Sequence, residues 1–290
     1  MSKHYTKRER RIDIEFRPSD RATAHGGQFG INGLAHEFGL WKRIEQDPRL
    51  DRRRHRGKGY DPCVYVAAFL FSLTSGGDSL ADAERLNDDE SLKAILGVKR
   101  FPDEAALGEW LRHLGPEGVE ALREIVHEFV SWALGEAKSE RLLHNGQLEC
   151  FFDDTQLEVT GRCFEGAKIN YAGDLALSWQ TLWVGPFVAD GVIGAPAEHK
   201  EALSSADSGA DVSAWLPTML QRNQDLWSDH TSYLYADSAS SAGKYLEGIE
   251  EAFDHYSVSY NKWTGPLERK ARDLPEAVWS KGEQVTWRDG

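Results

Sequence analysis

The sequence predicts an α+β protein, in which an all-α N-terminal region precedes a mixed β-sheet flanked by helices. Apolar residues recur at helical spacing from about residue 62 to about residue 138. From about residue 147, short runs rich in β-branched and aromatic residues replace them, and helical segments separate the later strands. These observations divide the chain into residues 1–60, 61–140 and 141–290.

The composition is typical of a globular protein outside the membrane. Of the 290 residues, 40% are hydrophobic and 28% are charged. No window approaches about 18 unbroken apolar residues, which excludes a transmembrane helix, and the N-terminus lacks the apolar stretch of a secretory signal. The three cysteines are odd in number and lack CxxC spacing, which argues against a disulfide framework and a structural zinc site. We therefore expect a reducing, cytoplasmic location.

The net charge of −13 conceals two regions of opposite sign. Residues 1–60 contain 15 of the 34 basic residues and 8 of the 47 acidic ones. Residues 61–290 therefore contain 19 basic and 39 acidic residues. A basic segment before an acidic body indicates a polyanionic partner for the N-terminal arm. The alternative is a solvated basic tail that keeps the protein soluble.

Residues 1–60 are predicted to form a basic arm that contains one short helix. Leu34, Phe38 and Trp41 fall on one helical face in the stretch INGLAHEFGLWKRI. A basic, glycine-containing loop follows, DRRRHRGKGYDP, and it ends where Asp61 and Pro62 favour the start of a helix.

Residues 61–140 are predicted to be helical. The run CVYVAAFLFSLTSGG is apolar on nearly all sides, which indicates a buried central helix that ends at Gly76–Gly77. Asp78 is placed to cap the next helix, and a further short helix ends in SLKAILG. Two amphipathic helices follow, separated by Gly115–Pro116, in the stretches FPDEAALGEWLRHLG and PEGVEALREIVHEFVSWALG.

Residues 141–290 carry the strand patterns. The first strand lies in QLECFFDDTQLEVTG, and two or three more lie in LALSWQTLWVGPFVADGVIGA, with Gly-Pro and Asp-Gly as turn signals. A helix with a kink or break at Pro217 is expected in SGADVSAWLPTMLQRNQDLW. After it come a strand in SYLYADSASS, a helix in AGKYLEGIEEAF and a strand in YSVSYNKW. This alternation predicts a mixed sheet with helices against it.

Three aspartates stand out because they follow apolar strand segments, Asp153 and Asp154 in the first strand and Asp237 in a later one. Ligand sites in open α/β sheets lie outside the carboxyl ends of the strands. Carboxylates brought together there stay ionised at low cost only with a cation between them. Mg²⁺ takes one or two carboxylates with waters and phosphates, and two ions about 4 Å apart can clamp a phosphoryl transfer. The alternative is structural, with Asp153 and Asp154 in a strand-end turn and Asp237 as a helix cap.

The segments FFDDTQLEVTG, LYADS and YSVSYNKW resemble the catalytic domain of bacterial insertion-sequence DDE transposases, which has a ribonuclease H-like fold. The segment HGGQFGINGLAHEFGL and the apolar helix after the basic loop resemble their N-terminal part, so the resemblance runs from about residue 16 to about residue 280. It implies that residues 1–60 are a basic arm with a short helix, that 61–140 are a DNA-binding or packing region, and that 141–290 are a partial ribonuclease H-like catalytic domain.

The resemblance also implies roles for individual residues. Asp153, two positions before Thr155, would be the first catalytic acid, with Asp154 as the alternative if the register differs by one residue. Asp237 would be the second acid, and Asp153 and Asp237 would hold Mg²⁺ or Mn²⁺ for nicking of DNA and strand transfer. The third acid of such a site, a glutamate on a helix well beyond YSVSYNKW, has no counterpart in a suitable context. We therefore expect a chain truncated before that residue and inactive on its own.

The expected partner is double-stranded DNA at the terminal repeats of the element. The candidate phosphate contacts are the basic residues of the loop before the apolar helix, Arg52, Arg53, Arg54, Arg56 and Lys58. A solvated loop is the alternative for this stretch. Two other functions stay open, a catalytically inactive DNA-binding regulator derived from a transposase and a general metal-dependent nuclease. The sequence leaves the oligomeric state open, a homodimer included, and indicates no membrane partner.

Overall fold

The structure is a computed structural model, and it describes most of the chain. The described residues are 3–4, 13–14, 23, 25–51, 53, 58–137, 139–160, 164, 167–169, 174–193, 215–237, 240, 243–259 and 273. Two compact units divide the chain, Met1–Phe129 and Val130–Gly290. None of the described helices is long and apolar enough to cross a membrane.

Helices dominate the described part of the N-terminal unit, which confirms the prediction of a helical N-terminal region. A short antiparallel pair precedes them, β1 (Lys3–His4) and β2 (Asp13–Ile14). The helices are α1 (Gln28–Phe38), α2 (Leu40–Gln46), α3 (Pro62–Thr74), α4 (Leu80–Arg85), α5 (Glu90–Leu96) and α6 (Glu104–Glu136), the last of which continues past Phe129.

Local backbone chemistry explains where helix α3 begins and where α6 breaks. The Asp61 carboxylate accepts a hydrogen bond from the Cys63 backbone N–H at 3.0 Å, and Pro62 occupies the first turn. The predicted start of α3 is therefore confirmed. Gly115 takes φ 64° directly before Pro116, so the helical backbone breaks where the sequence predicts a boundary between two helices.

The cap of helix α4 differs from the prediction, because Ser79 rather than Asp78 occupies the cap position. The Ser79 hydroxyl accepts the Asp82 backbone N–H at 3.3 Å, and the Asp82 carboxylate accepts the Ser79 backbone N–H at 3.1 Å. This reciprocal capping box satisfies two backbone donors at once, which Asp78 one position earlier would not do.

Helix α3 is buried along one face rather than on all sides. Ala68 and Phe71 are almost completely buried, whereas Leu73 is 66% exposed. The core of the unit lies on the buried side, where these residues pack with Leu92 of α5 and with Leu107 of α6. The apolar run thus marks α3 correctly as a core helix, but its exposed face contradicts the prediction of burial all round.

The C-terminal unit is a mixed sheet flanked by helices. Its strands are β3 (Leu143–His144), β4 (Gln147–Glu158), β5 (Lys168–Ile169), β6 (Leu175–Val184), β7 (Phe187–Ile193), β8 (Ser232–Ala236) and β9 (His255–Val258). Helix α7 (Ser139–Leu142) precedes the sheet, α8 (Leu216–Asn223) follows β7, and α9 (Gly243–Ala252) joins β8 to β9.

Strand β4 lies at the centre of this sheet. It pairs antiparallel with β6, which in turn pairs antiparallel with β7 and with the short β5. On its other edge β4 pairs parallel with β8, and β8 pairs parallel with β9. Parallel neighbours need a crossover connection, which α9 supplies between β8 and β9. An antiparallel meander extended by two parallel strands is compatible with a partial ribonuclease H-like fold, so the predicted fold class is confirmed.

Helix α8 begins at Leu216, and a proline in the first turn costs no intrahelical hydrogen bond. The predicted kink or break at Pro217 stays a prediction, because the residues just before Trp215 are not described. One local prediction for the C-terminal unit is wrong. Asp190–Gly191 is not a turn but lies inside β7, close to a register irregularity opposite Leu182–Trp183. The predicted helical stretch before Trp215 and the end of the YSVSYNKW strand lie outside the described residues.

Candidate active site

The parallel pairing of β4 with β8 decides where the predicted acids lie. The last residue pair in this register is Phe152 opposite Ala236, and the next residue on each strand is an acid, Asp153 on β4 and Asp237 just after β8. Adjacent strands lie about 4.8 Å apart. The fold therefore brings these two aspartates, which are distant in sequence, to neighbouring positions at the same level of the sheet.

The alternation of β4 separates Asp153 from Asp154. Phe152 is 3% exposed and Phe151 is 39% exposed, so the two faces of the strand differ sharply in burial. Successive residues point to opposite faces, which puts Asp154 on the face of buried Phe152 and Asp153 on the open face with Phe151. Both Asp153 and Asp237 are exposed. Continued by one residue, the alternation of β8 places Asp237 on this open face as well.

Asp154 is held on the inner face by two side chains. The Ser178 hydroxyl donates to one carboxylate oxygen, and the Gln156 amide donates to the other at 2.7 Å. Burial raises the pKa of Asp154 above its ordinary value, these two hydrogen bonds act against that rise, and the charges of Asp153 and Asp237 add to it. The three carboxylates therefore lie within electrostatic reach of one another, and a cation among them would favour their ionised forms.

The donor set suits a hard divalent cation only in part. β4 continues to Glu158, so Asp153 and Asp154 lie within the strand and not at its end, as a strand-end turn would require. The two carboxylates on neighbouring strands still match the one or two that Mg²⁺ takes alongside waters and phosphate oxygens. Within the described ranges, however, no group of three or more His, Cys, Asp or Glu side chains is arranged to hold a metal ion. Asp153 and Asp237 are therefore two carboxylates that could each contribute one ligand to such a cation.

The structure describes two of the five predicted DNA contacts, Arg53 and Lys58. The Arg53 guanidinium donates to the Asp51 carboxylate at 2.8 Å and to the Asp61 carboxylate at 3.1 Å, and its side chain is 17% exposed. The hydrogen bonds to Asp51, above all, raise the pKa of Arg53 further above its usual range. Arg53 therefore ties the loop to the start of α3, whereas Lys58 is exposed. The other predicted contacts, Arg52, Arg54 and Arg56, lie outside the described residues.

Comparison with known proteins yields a distant structural neighbour. No family model matches the chain, and no curated protein matches it. A chain of the crystal structure of a pre-cleavage Mos1 transpososome matches with 12% sequence identity, 90% coverage of this chain, 85% coverage of that chain and a TM-score of 0.25. A TM-score this low does not show a shared fold.

The sequence prediction missed a buried polar cluster around Asp190. This residue is 4% exposed, and its carboxylate accepts hydrogen bonds from the Gly191 backbone N–H at 2.8 Å, Asn223 at 3.1 Å and Arg222 at 3.2 Å. The cluster joins β7 to α8. Asp190 precedes a glycine, a pair that favours a turn, so no local signal in the sequence indicates its role.

Proposed function

We propose that this protein is a DDE-type transposase, or the remnant of one, that binds the DNA ends of an insertion sequence. Asp153 and Asp237 would form its metal-dependent site for strand nicking and transfer. The observation that supports the proposal is the parallel register of β4 and β8, in which Asp153, within β4, lies opposite the position of Asp237, which directly follows β8.

Asp153, Asp154 and Asp237 have distinct roles in the proposal. Asp153 and Asp237 would hold Mg²⁺ or Mn²⁺, which when bound polarises a phosphoryl oxygen and activates water as the nucleophile. Asp154, hydrogen-bonded to Ser178 and Gln156 on the inner face, would act as a positioning residue that fixes the register of this part of β4. Because the exposed carboxylates lie on the open face, a DNA strand can approach them without rearrangement of the core.

A nicking assay tests this proposal. The full chain is incubated with supercoiled plasmid and Mg²⁺ or Mn²⁺, and relaxation is followed on gels. Asp153→Asn and Asp237→Asn should each abolish nicking, because a neutral amide binds a divalent cation far more weakly than a carboxylate does. Asp229→Asn is the matched control, since Asp229 is an exposed aspartate of the same unit that belongs to neither β4 nor β8. Nicking that survives both site variants would refute the assignment.

A second candidate is a DNA-binding regulator without catalytic activity. It is favoured by the absence, among the described residues, of a third side chain that completes a metal site. Salt-sensitive binding to element-end DNA without any cleavage by the wild-type chain would support the regulator and refute the enzyme. Nicking without sequence preference would instead indicate a general nuclease.

A further inference from the structure

The N-terminal unit contains a cleft that the proposed function does not use. It has a volume of about 670 Å³ and lies among described residues before helix α3, helix α3 itself and the first half of helix α6. This volume falls in the range of small-ligand sites. The side chains that define its chemistry are three aromatic and four charged or titratable ones, Tyr60, Tyr65, Trp110, Asp51, Arg53, Glu109 and His113.

One wall of the cleft is a rigid aromatic surface. The rings of Tyr65 and Trp110 stack with centroids 5.2 Å apart and an angle of 8° between their planes. Tyr60 contacts Tyr65 edge-on at 5.9 Å, and Phe69 supports Trp110 from a centroid distance of 6.0 Å. Trp110 is 7% exposed and cannot turn away, whereas Tyr60 and Tyr65 are only partly buried and offer ring surface. Because the ring planes of Tyr60 and Tyr65 are 76° apart, a flat ligand ring can stack on one of these rings but not on both at once.

The charged groups leave a single carboxylate acceptor uncommitted in this cleft. Asp51 is paired with Arg53, which also reaches Asp61. Glu109, by contrast, is exposed and makes neither an ion pair nor a side-chain hydrogen bond with any residue that the structure describes. It lies close enough to Tyr65 to raise the pKa of that phenol, second only to burial. The cleft therefore combines partly exposed aromatic rings with one anionic acceptor that has no ion pair among the described residues.

We propose that this cleft binds an unstacked nucleobase that carries an amino group. The base would stack on the ring of Tyr60 and donate its exocyclic N–H to Glu109, as carboxylates accept from the amino group of cytosine. Bases inside a duplex already stack on one another, so the occupant is a base from a single-stranded or locally opened strand. Thymine, which lacks an amino group, is the base that fits least well.

The neighbouring sequence favours a base that belongs to a polynucleotide. The cleft residues Arg53 and Tyr60 lie close in sequence to the exposed Lys58, and cations of this kind neutralise backbone phosphates. In this respect the inference rests on the proposed DNA-binding function. A free nucleotide offers the same ring and the same amino group, so the two sources must be separated by experiment.

The test measures binding of short fluorescein-labelled homopolymers of dA, dC and dT to the full chain by fluorescence anisotropy, with unlabelled dCMP as competitor. Wild type should bind dA and dC more tightly than dT. Glu109→Gln should remove most of this preference, and Tyr60→Ala should weaken binding to dA and dC by about 10-fold through loss of base stacking. Tyr60→Phe, which keeps the ring, should retain the binding, and an unchanged circular dichroism spectrum of Tyr60→Ala would show that its loss of binding is not a folding defect.

Glu104→Gln is the matched control, because Glu104 is an exposed glutamate at the start of the same helix and does not line the cleft. Competition by dCMP would identify a pocket for free nucleotides, and its absence a pocket for bases within a strand; both support the nucleobase site. Equal binding of all three homopolymers by wild type and by Glu109→Gln, or no binding at all, would overturn it. The plasmid assay with Asp153 and Asp237 variants is independent of this outcome, so failure of one proposal is distinguishable from failure of the other.

Discussion

Replacement of Asp190 with alanine should destabilise the C-terminal unit more than any surface change. The carboxylate is buried, and its partners come from the neighbouring backbone and from helix α8. Removing it takes away a hydrogen-bond acceptor from Gly191, Asn223 and Arg222 together. The substitution therefore removes the hydrogen bonds that connect β7 to helix α8, one of the helices that flank the sheet.

The expected loss is about 3 kcal/mol. Removing one partner of a buried charge pair costs about 3–5 kcal/mol when the other charge stays buried. Two features place Asp190 at the low end of that range. Arg222 is 32% exposed, so water can solvate its guanidinium after the change. The Asn223 amide also donates to the Met219 carbonyl at 2.8 Å and keeps that bond.

The measurement is thermal unfolding of the full chain, followed by calorimetry so that the two units can be resolved. For a unit of this size, about 3 kcal/mol corresponds to a decrease in Tm of about 6–12 °C. Asp190→Asn keeps the volume and one acceptor oxygen, so its decrease should be smaller. Asp229→Asn, at an exposed position, should stay within about 0.5 kcal/mol of wild type.

A loss below about 1 kcal/mol for Asp190→Ala would refute this reasoning. It would mean that the carboxylate contributes no more than its own desolvation costs, as happens for some buried ion pairs. An equal loss for Asp190→Asn and Asp190→Ala would show that the charge, rather than the hydrogen-bond geometry, carries the stabilisation.

Two further predictions concern stability. Burial raises the pKa of Asp154 in the folded chain, so the folded chain binds the carboxyl proton more tightly than the unfolded chain does. The contribution of Asp154 to the free energy of unfolding therefore falls as the pH rises from its ordinary pKa near 3.8 through the raised pKa. Asp154→Asn should therefore gain stability relative to wild type over that interval in urea titrations at a series of pH values; a difference independent of pH would contradict this. Phe71 is 1% exposed in the helical core, and Phe71→Ala should cost about 3–5 kcal/mol. Thermal unfolding followed by helical circular dichroism measures this loss as a decrease in Tm. Leu73→Ala, at an exposed position, is the control and should change Tm little.

Local signals predict much of this fold because they depend on backbone chemistry that a few neighbouring residues decide. Asp61 followed by Pro62 satisfies the first turn of α3 from within the sequence, and Gly115 before Pro116 breaks α6 by its own dihedral angle. The same kind of reasoning errs where competing local signals are close in strength. Ser79 and Asp78 can both cap a helix, and only the position of Asp82 decides between them.

The sequence by itself determined the broad order of helices and strands, the aspartates that follow apolar strand segments and the split in charge between the first 60 residues and the remainder. Only the tertiary structure decided that Asp153 and Asp237 are neighbours, because strand pairing joins segments about 80 residues apart and no local pattern specifies that register. It also decided that Tyr60, Tyr65 and Trp110 form one wall, since that wall is assembled from a loop and two helices. Secondary structure follows from interactions between residues close in sequence. A site depends on contacts between distant segments, and these contacts form, and contribute free energy, only when the segments pack together.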